Sequence, residues 1–235
     1  MAGGLGTRLK EKSSGELKIF SEIAGKKFFE YFENNLKLLG FHKVIYIVDN
    51  NKKNVEQIYD KTIFKKTIVL TDGDKRLGTG GSIINNLNKL PEYFWVMYGD
   101  TLLNWDVKKS EEYFFKYCFD LMMLVIHSKY VSEVPNVEID LIKQRLVKYN
   151  KSDLNKLQYV DYGATLFRKE TLLDYPKNSN FDLEIIIQDK IQKGNSSFQV
   201  VKNKFYEMGN IDSFIKLENL LKQKKINHNL LALWK

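Results

Sequence analysis

A single cysteine, Cys118, stands in a chain of 235 residues. It cannot close an internal disulfide, which excludes the stapled frameworks of small secreted proteins and fits a reducing, cytoplasmic setting. The three histidines, His42, His127 and His228, are scattered without metal-ligand spacing and read as structural residues. No apolar stretch of the signal-peptide kind opens the chain, so secretion is not expected. The longest apolar run, LMMLVI at 121–126, is far too short to cross a bilayer. It reads as a buried strand, and a membrane is not an expected partner. Repeats, low-complexity tracts and linker-like segments are missing too, so the chain reads as one domain spanning residues 1–235.

Negative charge is in deficit, and the net charge is +8. The lysines are nevertheless spread among acidic residues, with no dense Arg-rich segment carrying interleaved aromatics. The electrostatic footprint of a nucleic-acid binder is therefore not there. A diffuse positive surface suits an enzyme of polyphosphate substrates equally well, because it raises the on-rate of anions. At 43% hydrophobic and 28% charged residues the chain has enough apolar surface for a full core.

Short apolar runs alternate with helical patterns in the first hundred residues. KVIYIV (43–48), KTIVL (66–70) and YFWVMYGD (93–100) read as strands, the last ending on an acid. Between them, KKFFEYFENNLKLLG places Phe28, Phe29, Phe32, Leu36 and Leu39 at helical spacing, with Gly40 as its stop. GSIINNLNKLP is a shorter helix ended by Pro91. This rhythm predicts βαβ units and an α/β fold, a mostly parallel Rossmann-like sheet with helices on both faces. Beyond Asp106 the rhythm changes. A helix around 111–117 leads to the apolar strand. NVEID, QRLVKY and QYVDYGATLF then follow without long helices between them, which predicts a small antiparallel insertion. DLEIIIQDKIQKG, SFQVVKN and NIDSFIKLENLLKQKK read as helix, strand and final amphipathic helix. A homodimer is one use for the apolar stripe of that last helix and for the tail NHNLLALWK.

Three stretches carry chemistry. The first, AGGLGTRL at 2–9, reads either as a solvated N-terminus or as a cradle of N–H donors around an anion, closed by Arg8 and a lysine. No GK[ST] follows, so it is not a Walker A loop. Leu9 stands where a Rossmann fingerprint needs its third glycine. The second, DGDKRLGTGGSI at 72–83, is either a turn with Thr79 or Ser82 as helix N-cap, or a loop whose backbone from Leu77 to Gly80 reads the edge of a base. The third pairs Asp100 in MYGDTLLNWD with Glu207 in FYEMGNIDS. An acid at a strand end after glycine is placed to hold Mg2+, and a second acid would complete the site. The alternatives are an ordinary turn carboxylate and a surface acid.

In order along the chain, AGGLGTRL, LKIFSEIAGKKFFEY, LGTGGSI, GDT, YNK, VDYGATLF and FYEMG together resemble the sugar-1-phosphate nucleotidylyltransferases. LGTGG and the compact length are most similar to the bacterial heptose- and mannose-1-phosphate guanylyltransferases of surface-polysaccharide synthesis. The resemblance implies a nucleotide-diphospho-sugar transferase fold, Mg2+ as cofactor, and a nucleoside triphosphate (GTP favoured) and a sugar 1-phosphate as substrates. It implies that Gly3, Gly4, Gly6 and Thr7 hold the nucleotide, Arg8 the β- and γ-phosphates, and Lys18 the phosphates at the reacting centre. Gly78, Thr79 and Gly80 would face the base, and Asp100 and Glu207 would ligate the metal. Lys151 stands at the sugar-phosphate lysine position, and Asp161 with Gly163 would line the sugar pocket.

The chain departs from the family pattern in three places. Leu17 and Ile19 replace the prolines that flank the catalytic lysine, which predicts a less rigid loop. Glu207 stands where aspartate is common. Only Met1 and Ala2 precede the glycine loop, so about five to seven apolar residues, an ordinary strand length, are expected upstream of Met1. Other readings are a cytidylyl- or uridylyltransferase, or a degenerate nucleotide sensor without turnover.

Overall fold

The computed structural model describes residues 17–73, 75–150 and 157–223. Among them, twelve strands and six α-helices, numbered along the chain, fall into two compact units. The first unit holds the described residues of 17–73, 98–104 and 205–223, and the second those of 75–97 and 105–204. No described helix is long and apolar enough to cross a membrane.

The first unit begins with a 3-10 turn at Lys18–Phe20 and a minimal hairpin, β1 (Glu22–Ile23) with β2 (Lys26–Lys27). Helix α1 (Phe28–Leu38) buries Phe28, Phe29, Phe32 and Leu36 along the face its periodicity predicts. Gly40, at φ +88, ends it. The Gly40 N–H donates to the Lys37 carbonyl and the Phe41 N–H to that of Leu36, so orphan carbonyls of the last turn are satisfied. Strands β3 (Lys43–Val48) and β4 (Lys66–Thr71) pair in parallel around α2 (Lys52–Lys61). The sequence reading passed over α2, which buries only Asn54 and Ile58 and so has a thin apolar stripe. Its start is marked by Asn51, whose side chain accepts the Lys53 N–H. The unit is completed by β6 (Thr101–Leu102) paired antiparallel with β12 (Tyr206–Glu207), and by α6 (Ile211–Gln223). Leu217 and Leu221 of α6 are buried within the chain, while Ile211 and Ile215 stay exposed. The stripe set aside for a dimer is thus partly taken up by the unit's own core.

A polar residue sits on the apolar stripe of α1. Glu33 is fully buried, and its carboxylate accepts the Tyr46 hydroxyl, the Thr62 hydroxyl and the Ile63 N–H. A buried carboxylate without donors would be costly; here three donors tie α1 to β3 and to the end of α2. Burial, and then the adjacent Glu33 charge, push the Tyr46 phenol far above its usual range, so it remains a donor.

The second unit is built on a six-stranded mixed sheet in the order β11 (Ser196–Val201), β7 (Leu121–His127), β10 (Tyr159–Arg168), β8 (Val137–Asp140), β9 (Arg145–Tyr149). The remaining strand, β5 (Tyr93–Met97), also pairs with β10. The long β10 lies along β7 on one edge. On the other it takes Val137 of β8 near its start and all of β5 near its end. Six of the seven β7 residues are buried, as a strand covered on both faces requires. Helix α4 (Val107–Tyr117) packs Phe114 against Phe119, Met122 and Leu166. Helices α3 (Gly78–Asn85) and α5 (Leu183–Gln192) complete the unit.

The α/β class holds, and the strands expected after residue 120 are all present. Parallel pairing, however, is confined among the described strands to β3–β4 and β7–β11. The antiparallel segment is part of the main sheet and not an appendage, because short connections suffice for antiparallel neighbours and β10 reaches β5 directly.

Replacing Glu33 by Gln keeps the shape but points an amide N–H2 at a cluster of donors. The expected loss is about 1–3 kcal/mol, or about 2–4 °C in Tm for each kcal/mol. An unchanged thermal melt would rule out the Glu33 cluster as a tie within this unit.

Candidate active site

Lys18 is the outward residue in a run of buried ones. Leu17, Ile19 and Phe20 are all buried, and the Phe20 ring lies 4.9 Å from Phe29 of α1. Leu17 and Ile19 stand where a more rigid loop would carry prolines, and in this chain their burial supplies the constraint instead. The turn delivers the Lys18 ammonium to 2.9 Å from Oδ2 of Asp100, with side-chain exposures of 11% and 32%. The Thr101 hydroxyl donates to Oδ1 of the same carboxylate at 3.1 Å.

The backbone around Asp100 is held at three points, residues 100, 101 and 103. Its carbonyl accepts the Met208 N–H, which extends the β6–β12 ladder by one bond, and the next rung pairs Thr101 with Glu207. Asp100 and Glu207 therefore leave neighbouring rungs of one ladder. Gly209 lies so close to the Glu207 carboxylate that an added Cβ would sit 2.8 Å from Oε1. The third hold is Asn35 of α1, buried, whose side-chain amide donates to the Leu103 carbonyl and accepts the Leu103 N–H, both at 2.8 Å. A helix side chain thus pairs with an extended segment as a neighbouring strand would. The sequence reading missed Asn35; the signal was a polar residue on the buried stripe of α1.

Two carboxylates and a hydroxyl are hard oxygen donors of the kind Mg2+ takes, together with substrate phosphates and water. The donor chemistry fits that ion. Among the described residues no group of three or more His, Cys, Asp or Glu side chains gathers as a metal site.

The second unit holds Gly78, Thr79, Gly80, Asp161 and Gly163. The glycines of 78–81 lie under a crossing segment of chain. The Gly80 and Gly81 N–H groups both donate to the Phe181 carbonyl at 3.0 Å, and the Phe181 N–H donates to the Leu77 carbonyl. A Cβ on Gly81 would lie 2.1 Å from the Ser179 carbonyl oxygen, and one on Gly80 2.7 Å from the Phe181 ring. Neither Thr79 nor Ser82 caps α3 with its side chain. The Thr79 hydroxyl instead accepts the Leu183 N–H in the first turn of α5. Gly80 has therefore committed its N–H within the chain, so it has no such donor left for a base.

Asp161 sits at an irregularity in β10, where four steps from Asp161 to Thr165 are matched by two on β7, from Val125 to Met123. Its Oδ1 accepts the Gly163 N–H at 2.9 Å and its Oδ2 the Tyr149 hydroxyl at 3.0 Å. Gly163, at φ +94, supplies the left-handed backbone the bulge needs. Gly3, Gly4, Gly6, Thr7, Arg8 and Lys151 lie outside the described residues.

The Lys18–Asp100 pair thus stands beside a short strand ladder on an α/β framework. The chain matches the Nucleotidyl transferase family over residues 1–224 and belongs to it. It is 25% identical over 209 residues to the D-glycero-alpha-D-manno-heptose 1-phosphate guanylyltransferase of Campylobacter jejuni, covering 89% of this chain and 92% of that one. HddC from Yersinia pseudotuberculosis, solved alone and complexed with GMP-PN, shares the fold at TM-scores of 0.76 and 0.75; each match has 24% identity and covers 93% of this chain and 96% of that one. A putative glucose-1-phosphate thymidylyltransferase from Bacillus anthracis superposes at a TM-score of 0.77 with 14% identity, over 94% and 93% of the two chains.

Asn35→Leu should leave the Leu103 N–H and carbonyl buried and unpaired, at about 1–3 kcal/mol for each group. Urea unfolding reads the sum, and a loss below about 0.5 kcal/mol, within the range of ordinary surface changes, would contradict the clamp. Gly81→Ala should cost about 1–3 kcal/mol by overpacking and speed amide exchange at Phe181 and Leu183. Unaltered exchange there would mean the crossing segment does not rest on the glycines.

Proposed function

We propose that this chain couples GTP to a sugar 1-phosphate of the heptose or mannose type, releasing pyrophosphate and a nucleoside-diphosphate sugar for surface-polysaccharide synthesis. The whole of residues 1–235 acts as one catalytic domain in this reading. The observation that carries it is the Lys18–Asp100 pair, in which the cation read as binding phosphate lies 2.9 Å from the carboxylate read as binding metal. The Campylobacter relative and the GMP-PN complex of HddC support guanine over the other bases.

The sugar-phosphate oxygen attacks the α-phosphorus in line and pyrophosphate leaves, so the protein supplies position and charge, with little covalent chemistry. Lys18 takes the phosphates at the reacting centre and Arg8 the β- and γ-phosphates; the N-terminal glycines and Thr7 hold the nucleotide. Gly78, Thr79 and Gly80 face the base in this reading. Asp161, oriented by Gly163 and Tyr149, and Lys151 receive the sugar phosphate. Mg2+ on Asp100 and Glu207 would neutralise charge developing on the phosphates.

A pyrophosphate-release assay with GTP, CTP, UTP and dTTP against a panel of sugar 1-phosphates tests the reading. GTP with a heptose or mannose 1-phosphate should be fastest; a faster CTP or UTP would overturn the base assignment. Nucleotide binding with no turnover on any sugar would point to a sensor. Lys18→Ala should lower kcat on the order of 10²-fold or more with little change in Tm. Asp100→Asn should remove metal-dependent turnover.

A further inference from the structure

The Lys18 ammonium and a divalent cation make competing claims on one oxygen. Asp100 Oδ2 is 2.9 Å from Lys18 Nζ, and Oδ1 is engaged by the Thr101 hydroxyl. Mg2+ binds carboxylate oxygen at about 2.0–2.1 Å, and an ammonium left at hydrogen-bond distance from that oxygen would face it as a like charge in a half-buried site. A shift of one cation away from the other relieves that repulsion. The backbone of the 3-10 turn is the part least free to move, since Leu17, Ile19 and Phe20 are buried on either side of Lys18. The backbone that carries the carboxylate is held as well, by the Met208 N–H on the Asp100 carbonyl and by Asn35 on Leu103. With both backbones held, the four-carbon lysine stem has the longer reach for moving away.

We propose that Lys18 is a stand-in cation. It neutralises Asp100 while the carboxylate holds no metal, and swings off when a divalent cation takes that carboxylate, which frees its ammonium for the triphosphate. Metal loading and release of the phosphate-binding lysine are then one event. This rests on the reading of Asp100 as a metal ligand. It has a counter-intuitive consequence: deleting the catalytic cation improves the metal site.

Mn2+ serves as the probe, with its Kd measured by electron paramagnetic resonance of the free ion on the full chain without nucleotide. Lys18→Met should bind Mn2+ more tightly than wild type, on the order of tenfold, because no ammonium has to be displaced. Lys18→Arg, which keeps the charge and can grip a carboxylate with two donors, should bind it more weakly than Lys18→Met and no better than wild type. Equal affinities in all three proteins would overturn the stand-in role. Asp100→Asn separates the two layers of the argument. If it weakens Mn2+ binding while the Lys18 variants leave it unchanged, Asp100 is a ligand and the exchange is wrong. If it has no effect, the ligand reading falls as well.

Discussion

An ammonium and a carboxylate that have lost most of their contact with water are expensive to keep apart, and the first unit is arranged so that Lys18 and Asp100 meet. Each end is fixed by different means. The lysine is held by apolar burial on both sides of it in the chain, and the aspartate by main-chain pairing with Met208 and, three residues on at Leu103, by the side-chain amide of Asn35 on α1. Removing either support would displace one partner of the pair from the other. The helix α1, the β6–β12 ladder and the 3-10 turn are thus energetically coupled through one contact.

The glycines of LGTGG have a different explanation from the one their composition suggests. A glycine-rich loop invites the idea of a ligand approaching the backbone. In this chain the approaching group is the chain itself, the segment 179–182, which fills the space a Cβ would need and takes the N–H groups of Gly80 and Gly81. Thr79 adds a cap for α5. The stretch therefore organises two helices of the second unit whatever else it meets.

Local patterns in the sequence were read well where a residue's neighbours in the chain decide its environment. The apolar run at 121–126, the stripe and glycine stop of α1, and the strand series after 135 all belong to this class. Helix α2 was lost because its apolar face is thin. The contacts that build the candidate site are of the other class. Lys18 and Asp100 are 82 residues apart, Asn35 and Leu103 68. Motif resemblance named Lys18 and Asp100, but nothing local named Asn35, and nothing named the segment that covers the glycines. Polar residues on an apolar helical stripe, Glu33 and Asn35, were the visible trace of those long-range bonds.

The central position of β10 also governs the order in which the second unit can be made. Both β5 and β7, apolar from Leu121 to Ile126, emerge from the ribosome before β10, their shared partner, has been synthesised. At roughly 5–20 residues per second of elongation, β7 waits on the order of seconds as an uncovered hydrophobic edge, the kind of surface that pairs with other chains. Only when residue 168 has been added is the whole of β10 available to cover that edge. Truncation before β10 removes the strand against which both earlier strands are laid.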